Sequence, residues 1–384
     1  AGRNVIAVRV IDHGWPGGFA GKAAQMRVSG RGLKAISIAG DWKFQPGVTL
    51  KALGLGELTN PAPPPPPPPT PELVRPLAKP ASPQPPFADG FTLEGAEALV
   101  VLGGSNAAEL ARFGYFETLL AASYPGNPVH LRNLAWPTDT VYRQQRPRNF
   151  FSSANPNYGE RDGREPLAVD IAFLWLGQSE VVAGTENRDS FEAAYREKLG
   201  LLQAYTGRIV LVTPVPCEDP LGLGLDTEKR NRTLASVAAT IRQLGKEKEL
   251  PVVDLFSRMK GQQVTRDGLL LSRRGHLLAA QEIVRSLRRG KPGGILAGET
   301  RPDGKLQSQP AEDLRQAVLE KNRLWQQYWR PTNWAFLYGN RQTQPSSRSH
   351  SNRGYRWFPE EIDTIPSLLS SSDEKIWKQA QELN

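Results

Sequence analysis

From Phe91 to about Arg289 the chain alternates two patterns. Apolar runs, "ALVVLGG", "VHLRNLAW", "VDIAFLWLG", "RIVLVTPVP" and "PVVDLF", are separated by stretches of helical spacing. Strands buried on both faces read as apolar runs rather than as alternation, so the five predict a parallel sheet. Between them Leu110, Phe113, Phe116 and Leu120 recur at helical intervals, and "RNRTLASVAATIRQLGKEK" predicts a longer amphipathic helix. Strand and helix repeated five times predict a three-layer α/β architecture over residues 91–292. Ligands of such sheets bind beyond the carboxyl ends of the strands. Ser105, Thr138 and Ser179 each follow such an end.

The flanks have a different character. Residues 1–50 have β character, in "NVIAVRVID", "QMRVSG" and "AISIAGDWKF" around the Gly-rich "GWPGGFAGK", and are too few for a good core of their own. They predict a truncated β-sandwich. Residues 51–90 predict a linker, in which the run Pro63 to Pro69 is a polyproline II spacer rising ~3.1 Å per residue. In residues 293–384, "EDLRQAVLEKNRLWQQYWR" predicts a helix, Pro331 interrupts it, and "TNWAFLYGNR" is too aromatic for a disordered tail. This extension is expected to pack on the α/β domain.

A chain of 384 residues exceeds one typical core, which agrees with more than one module. No window approaches the ~20 apolar residues of a membrane span, so none is expected. The net charge is +9, but Lys and Arg are interleaved with Asp and Glu, so nucleic acid is not expected as a partner. Cys217 is the single cysteine, which excludes an internal disulfide and a cysteine metal site; no metal or cofactor is implied. The opening "AGRNVIAVRV" starts within a strand-like segment, and the expectation is that more polypeptide precedes Ala1.

Candidate chemistry begins at Gly103-Gly104-Ser105. The glycines permit a sharp turn and close approach of a neighbour. A hydroxyl at a helix start lies near free amides and the positive end of the dipole, which favour a developing oxyanion. Helix-capping serine is the competing reading.

The order of blocks resembles the SGNH (GDSL-type) hydrolases. The first block, normally Gly-Asp-Ser, stands as Gly103-Gly104-Ser105. The second block is similar to "NLAWPTDT", with Asn133 present and Thr138 at the glycine position. The third, Gly-x-Asn-Asp, stands as "GQSE", with Ser179 and Glu180 in its last two places. The fifth, Asp-x-x-His, stands as "DGLL", with Asp267 present and Leu270 at the histidine position. "GQSEVVAG", "RNLAWPTDT" and "WRPTNWAFLYGNR…RWFPEEI" are similar to a subgroup of SGNH-like modules in large proteins of planctomycete and verrucomicrobial bacteria. The N-terminal stretch resembles the end of the galactose-binding-like sandwich of sialate O-acetylesterases. The resemblance implies a three-layer, flavodoxin-like SGNH-hydrolase fold with a five-stranded parallel sheet. It also implies a periplasmic or secreted setting, and acylated carbohydrate as ligand, with acetyl groups removed by a serine esterase.

On that resemblance Ser105 is the nucleophile. Its own N–H, Thr138 N–H and the Ser179 hydroxyl are oxyanion donors, with Gly104, Asn133, Glu180 and Trp136 completing the binding set. Leu270 cannot accept a proton, and a serine hydroxyl needs a base within hydrogen-bond reach. His276, expected on the surface of the helix that Ser272 opens, and His350, on the extension, are the candidate replacements; His13 and His130 are placed elsewhere. Glu180 and Asp139 read as carboxylates that accept backbone N–H bonds, Asp267 as a turn or cap residue. Trp136 beside Pro137 is a candidate sugar platform, as are Trp334 and Tyr338, while Trp175 reads as core. Two functions stay open: an esterase, and an SGNH-shaped carbohydrate-binding or scaffold module with impaired catalysis.

Overall fold

The computed structural model describes residues 27–30, 33–37, 82–95, 97–144, 169–182, 188–287, 300–337, 341, 344, 348–349, 351–352 and 354–383. The chain divides into two compact units, Ala1–Pro64 and Pro65–Asn384. In the first, β1 (Arg27–Gly30) and β2 (Leu33–Ser37) pair antiparallel. β1 falls within the strand expected in "QMRVSG", and β2 overlaps the start of the one expected in "AISIAGDWKF". "NVIAVRVID", the Gly-rich loop and most of the Pro-rich stretch lie outside the described residues.

In the second unit β3 (Glu97–Gly103), β4 (Val129–Asn133), β5 (Ile171–Trp175), β6 (Ile209–Val212) and β7 (Val252–Val253) match the five apolar runs. All are parallel, in the order β4-β3-β5-β6-β7. Counted from β3 this is the doubly wound order 2-1-3-4-5, whose switch point lies between β3 and β5. Side chains alternate across the sheet. Leu99, Val101, Phe173, Trp175, Val210 and Val212 pack on α1 (Ser105–Phe113), α2 (Tyr115–Ser123) and α6 (Arg273–Leu287). Val100, Leu102, Ala172, Leu174, Ile209 and Leu211 pack on α3 (Arg188–Gln203) and α4 (Thr227–Glu247). The result is an α/β/α sandwich of three layers.

Local signals set the helix ends. Asp226 caps α4 by accepting Lys229 N–H, and Asp254 does the same for Ser257 at the short α5 (Leu255–Arg258). The apolar periodicity that predicts one helix across Leu110 and Leu120 is divided by Gly114, whose φ of 72° suits glycine. The extension folds as α7 (Gln309–Trp329), a short α8 (Trp334–Leu337) after Pro331, and α9 (Trp357–Glu382). Its stripe of Ile362, Ile365, Leu369, Ile376 and Ala380 is buried, part of it in the α3/α4 core and part against α7.

The extension also binds the sheet edge through polar groups. Lys321, fully buried, pairs with Glu117 at 2.6 Å and donates to Leu131 O at 2.8 Å. Asp373 on α9 receives Arg132 through both oxygens and His130 Nδ1 at 2.9 Å. Burial works against its ionisation, but the bonds from His130 and Arg132 and the Arg132 charge hold its pKa down at about 2.

Candidate functional site

β3 delivers its last residue to the switch point. Gly103 has φ 149°, and a Cβ there would lie 2.1 Å from Trp175 O at the end of β5. Gly104 N–H donates to that same carbonyl at 3.2 Å, and a Cβ on Gly104 would lie 2.8 Å from Asp139 O. Backbone closes on this turn from both sides, so only glycine fits the pair. Ser105 then opens α1. The helix cap is Gly104, so Ser105 stands at the first helical position rather than at the cap. Its partner is Thr138, whose N–H donates to Ser105 Oγ at 3.0 Å. Thr138 holds φ 71°, a left-handed conformation costly for a β-branched residue, on the order of 1–3 kcal/mol. The position that the SGNH pattern gives to glycine thus keeps a glycine-like backbone while carrying threonine.

The other predicted binding residues divide by role. Ser179 is half-buried beside the turn, its Oγ 3.6 Å from where a Cβ on Gly104 would stand. Glu180 is buried and accepts Val141 N–H at 2.8 Å and Gly177 N–H at 3.0 Å, holding the loops after β4 and β5 together. Asn133 joins the end of β4 to α1, donating to Ala107 O and accepting Ala135 N–H. It acts on loop geometry and is turned to the protein rather than to a ligand. Trp136 is half-buried with the Arg330 guanidinium 3.6 Å from its ring centroid, so one ring face is already covered. Trp175 is core. Trp334 begins α8, and Tyr338 lies outside the described residues.

On the opposite flank, the loop of residues 264–271 carries Asp267 and Leu270. Asn106, buried next to Ser105, donates to Leu269 O at 3.2 Å and accepts Leu271 N–H at 3.0 Å. Glu218 accepts Val264 N–H, Thr265 N–H and the Thr265 hydroxyl. Asp267 Oδ1 accepts Leu269 N–H at 3.0 Å and Leu270 N–H at 2.7 Å, which makes it the brace of its own turn. Leu270 is half-buried at the place the SGNH pattern gives to histidine.

No described histidine bonds to Ser105. His13 and His350 lie outside the described residues. His130 pairs with Ala98 across the sheet, five positions before Gly103, so it sits about 16 Å below the strand ends at ~3.3 Å per residue. His276, expected from sequence as a helix-surface residue, is completely buried. It stacks on Phe113 and meets Glu109 at 3.3 Å through Nε2. Burial lowers its pKa and favours the neutral ring, so Nε2 carries the proton given to Glu109 and Nδ1 faces no partner. Glu109 is half-buried, which opposes its charge, but bonds from His276 and Arg266 outweigh this and hold its pKa at about 2. Arg266 grips Glu109 with two bonds, at 2.8 and 2.9 Å. His276 is therefore committed to Glu109, one helical turn along α1 from Ser105.

Chemically, the site presents a hydroxyl to a helix N-terminus and one amide, with Ser179 alongside. It can receive an ester carbonyl and polarise it. Deprotonating Ser105 needs a base that the described residues do not supply. Asn106, Glu218, Arg266 and Arg330, which shape both flanks, escape sequence reading. Their bonds run mostly to groups of other loops and helices, and only the adjacency of Asn106 to Ser105 points to one of them.

No protein-family model matches the chain, and no curated protein matches it. Among solved structures it is similar to an acetylxylan esterase from Geobacillus stearothermophilus, at 17% identity and a TM-score of 0.40, covering 52% of this chain and 98% of that one. It is similar to a lipase/acylhydrolase from Enterococcus faecalis at 17% identity and 0.37, covering 51% and 98%. A GDSL-like lipase from Bacteroides thetaiotaomicron is similar at 16% identity and 0.35, covering 49% and 85%.

Proposed function

We propose that the unit Pro65–Asn384 is an SGNH-type domain whose ligands are acyl esters of carbohydrate, which it binds with hydrolysis impaired. One observation carries the second half of this reading. The loop that should present the base is held in place by Asn106, Glu218 and Asp267, yet it presents Leu270. General acid–base catalysis contributes about 10²–10⁴-fold, and its loss leaves only carbonyl polarisation. The ligand class rests on the SGNH block order and the subgroup resemblance. A periplasmic or secreted bacterial setting belongs to the same proposal.

The second reading, serine-esterase turnover, is favoured by one feature. Ser105 lies inside the cap, and its Oγ accepts Thr138 N–H, the arrangement of a nucleophile beside an oxyanion donor. In that reading His350 is the candidate base.

Acetate release from acetylated xylan and from a small aryl acetate, alongside binding of acetylated and deacetylated xylo-oligosaccharide, separates the two. The expected result is binding that favours the acetylated oligosaccharide, with release no faster than a protein-free blank. Release that disappears in Ser105→Ala and in His350→Ala overturns it in favour of the esterase. Failure to bind either oligosaccharide, with no release, removes carbohydrate esters from the ligand class.

A further inference from the structure

Five large apolar side chains stand exposed among the described residues: Tyr142, Leu201, Leu221, Leu223 and Leu368. Three of them, Tyr142, Leu221 and Leu223, lie on loops at the carboxyl ends of strands, where Ser105 also lies. The two most exposed are Leu221 at 61% and Leu223 at 67%. They sit in "DPLGLGLD", the loop after β6, and β6 is two strands from β3, about 10 Å at ~4.8 Å per strand.

That loop is held open by specific bonds. Asp219 accepts N–H groups from Leu223, Gly224 and Leu225 at 2.9, 2.8 and 3.3 Å. This ring of bonds keeps the two leucines turned outward when burying them would be favourable by roughly 1.5–3 kcal/mol each. The loop is also tied to the one that carries Leu270. Glu218 N–H donates to Gly268 O at 3.1 Å, and Leu225 packs so close that a Cβ on Gly268 would lie 2.9 Å from it. Leu269, partly buried, packs on the buried cluster of Val181, Cys217 and Leu234, and Val181 is two residues past Ser179. Its carbonyl is bonded to Asn106, the neighbour of Ser105. The loop that carries the exposed leucines is therefore tied to the serine turn through Gly268, Leu269 and Asn106, and Leu270 makes the linking loop apolar where an imidazole would be polar.

We infer that Leu221 and Leu223 form an acyl-chain lip: the esters this site takes carry medium-length apolar acyl groups rather than acetyl alone. This rests on the ester-binding reading above and extends it to the acyl half of the ligand. A sugar presents hydroxyls that four leucines on two joined loops cannot satisfy, whereas a hydrocarbon chain gains on the order of 0.8 kcal/mol for each methylene it buries there. The sugar half is left to the side of Trp136 and Ser179.

Isothermal titration of the full chain with an acetyl and an octanoyl ester of glucose, below the aggregation threshold of the latter, tests this. The octanoyl ester should bind at least roughly tenfold more tightly. In Leu221→Asp/Leu223→Asp that preference should fall to within about threefold while acetyl-ester affinity and Tm stay unchanged. Leu201→Asp, an exposed leucine on α3, should leave the preference intact. Equal affinity for the two esters in the unaltered chain overturns the lip and leaves the carbohydrate-ester reading standing. A preference that survives the double substitution overturns it as well. If neither ester binds, both readings fall.

Discussion

The two flanks of Ser105 are built alike and finished differently. Each is tied to the first turn of α1 by an asparagine: Asn133 reaches Ala107 O from the end of β4, and Asn106 reaches out to Leu269 and Leu271. Each carries a residue at the place the SGNH pattern assigns to chemistry. On the first flank the bonds end on the serine hydroxyl through Thr138. On the second they end on the backbone around Leu270, whose side chain can neither donate nor accept. The comparison teaches that loop position and loop chemistry are separable. Asn106, Glu218 and Asp267 fix the second loop through its amides and carbonyls, so its course is set by main-chain bonds that do not involve the side chain of residue 270.

The largest effect then comes from restoring the chemistry. Leu270→His should raise aryl acetate turnover by about 10²–10⁴-fold over the unaltered chain, and adding Ser105→Ala should abolish the gain. No gain in a folded Leu270→His protein would mean that the loop does not present residue 270 to Ser105.

The first flank leans on the extension, and Lys321 tests how firmly. Lys321→Met leaves Glu117 buried without its partner and should cost ~3–5 kcal/mol by denaturant titration, much of it recovered in Lys321→Met/Glu117→Leu. The second flank leans on Asn106. Asn106→Ala orphans a buried amide and a carbonyl, at ~1–3 kcal/mol, and in a Leu270→His background it should erase the restored turnover. Thr138→Gly exchanges strain of ~1–3 kcal/mol for the greater unfolded-state freedom of glycine, ~0.5–1 kcal/mol, so Tm should rise by a few degrees or stay level. A fall in Tm would show that the left-handed conformation costs threonine nothing there.

The smallest effect is in pH. His276 has a folded pKa below its ordinary 6.5, so the unfolded chain takes up its proton first, and stability declines as pH falls below about 6.5. Glu109, held at about 2 against 4.5, gives stability that is complete above 4.5 and is lost as pH falls towards 2. Asp373 contributes in nearly the same window. His276→Gln should flatten the upper limb of the stability profile and Glu109→Gln should reduce the lower one, while unchanged profiles would contradict the burial of His276 and the bonds that hold Glu109.

Much of the sheet is legible in the sequence because each strand is buried on both faces and leaves an apolar run. The Ser105 turn is legible for a similar reason, since two glycines before a helix are a local signal. α3 is not, although Phe191, Tyr195, Leu199 and Leu202 stand at helical spacing, because charged residues dilute the stripe. α9 is hidden by Pro366 and a serine run. Gly114 divides a periodicity that hydrophobic spacing alone joins. The anchors of the site are illegible for a deeper reason. Glu218 and Arg330 act on backbone atoms far along the chain, and a backbone carbonyl or amide has no sequence signature. His276 has the sequence context of a surface residue because nothing near it in the chain announces Phe113 and Glu109, which cover it.

The side-chain donors of α7 and of Arg330 at its end fix where this protein can be cut. Arg315 and Asn322 occupy the carbonyls of Phe113 and Ala111 in the last turn of α1. Lys321, Trp325 and Arg330 occupy those of Leu131, Asn133, Leu134 and Ala135. A fragment ending near residue 292 would contain every strand of the sheet and still expose this row of acceptors, at ~1–3 kcal/mol for each one left dry and unpaired. The smallest piece that can be expressed on its own is therefore larger than the α/β sandwich, and the helices after residue 300 belong to its fold rather than to its decoration.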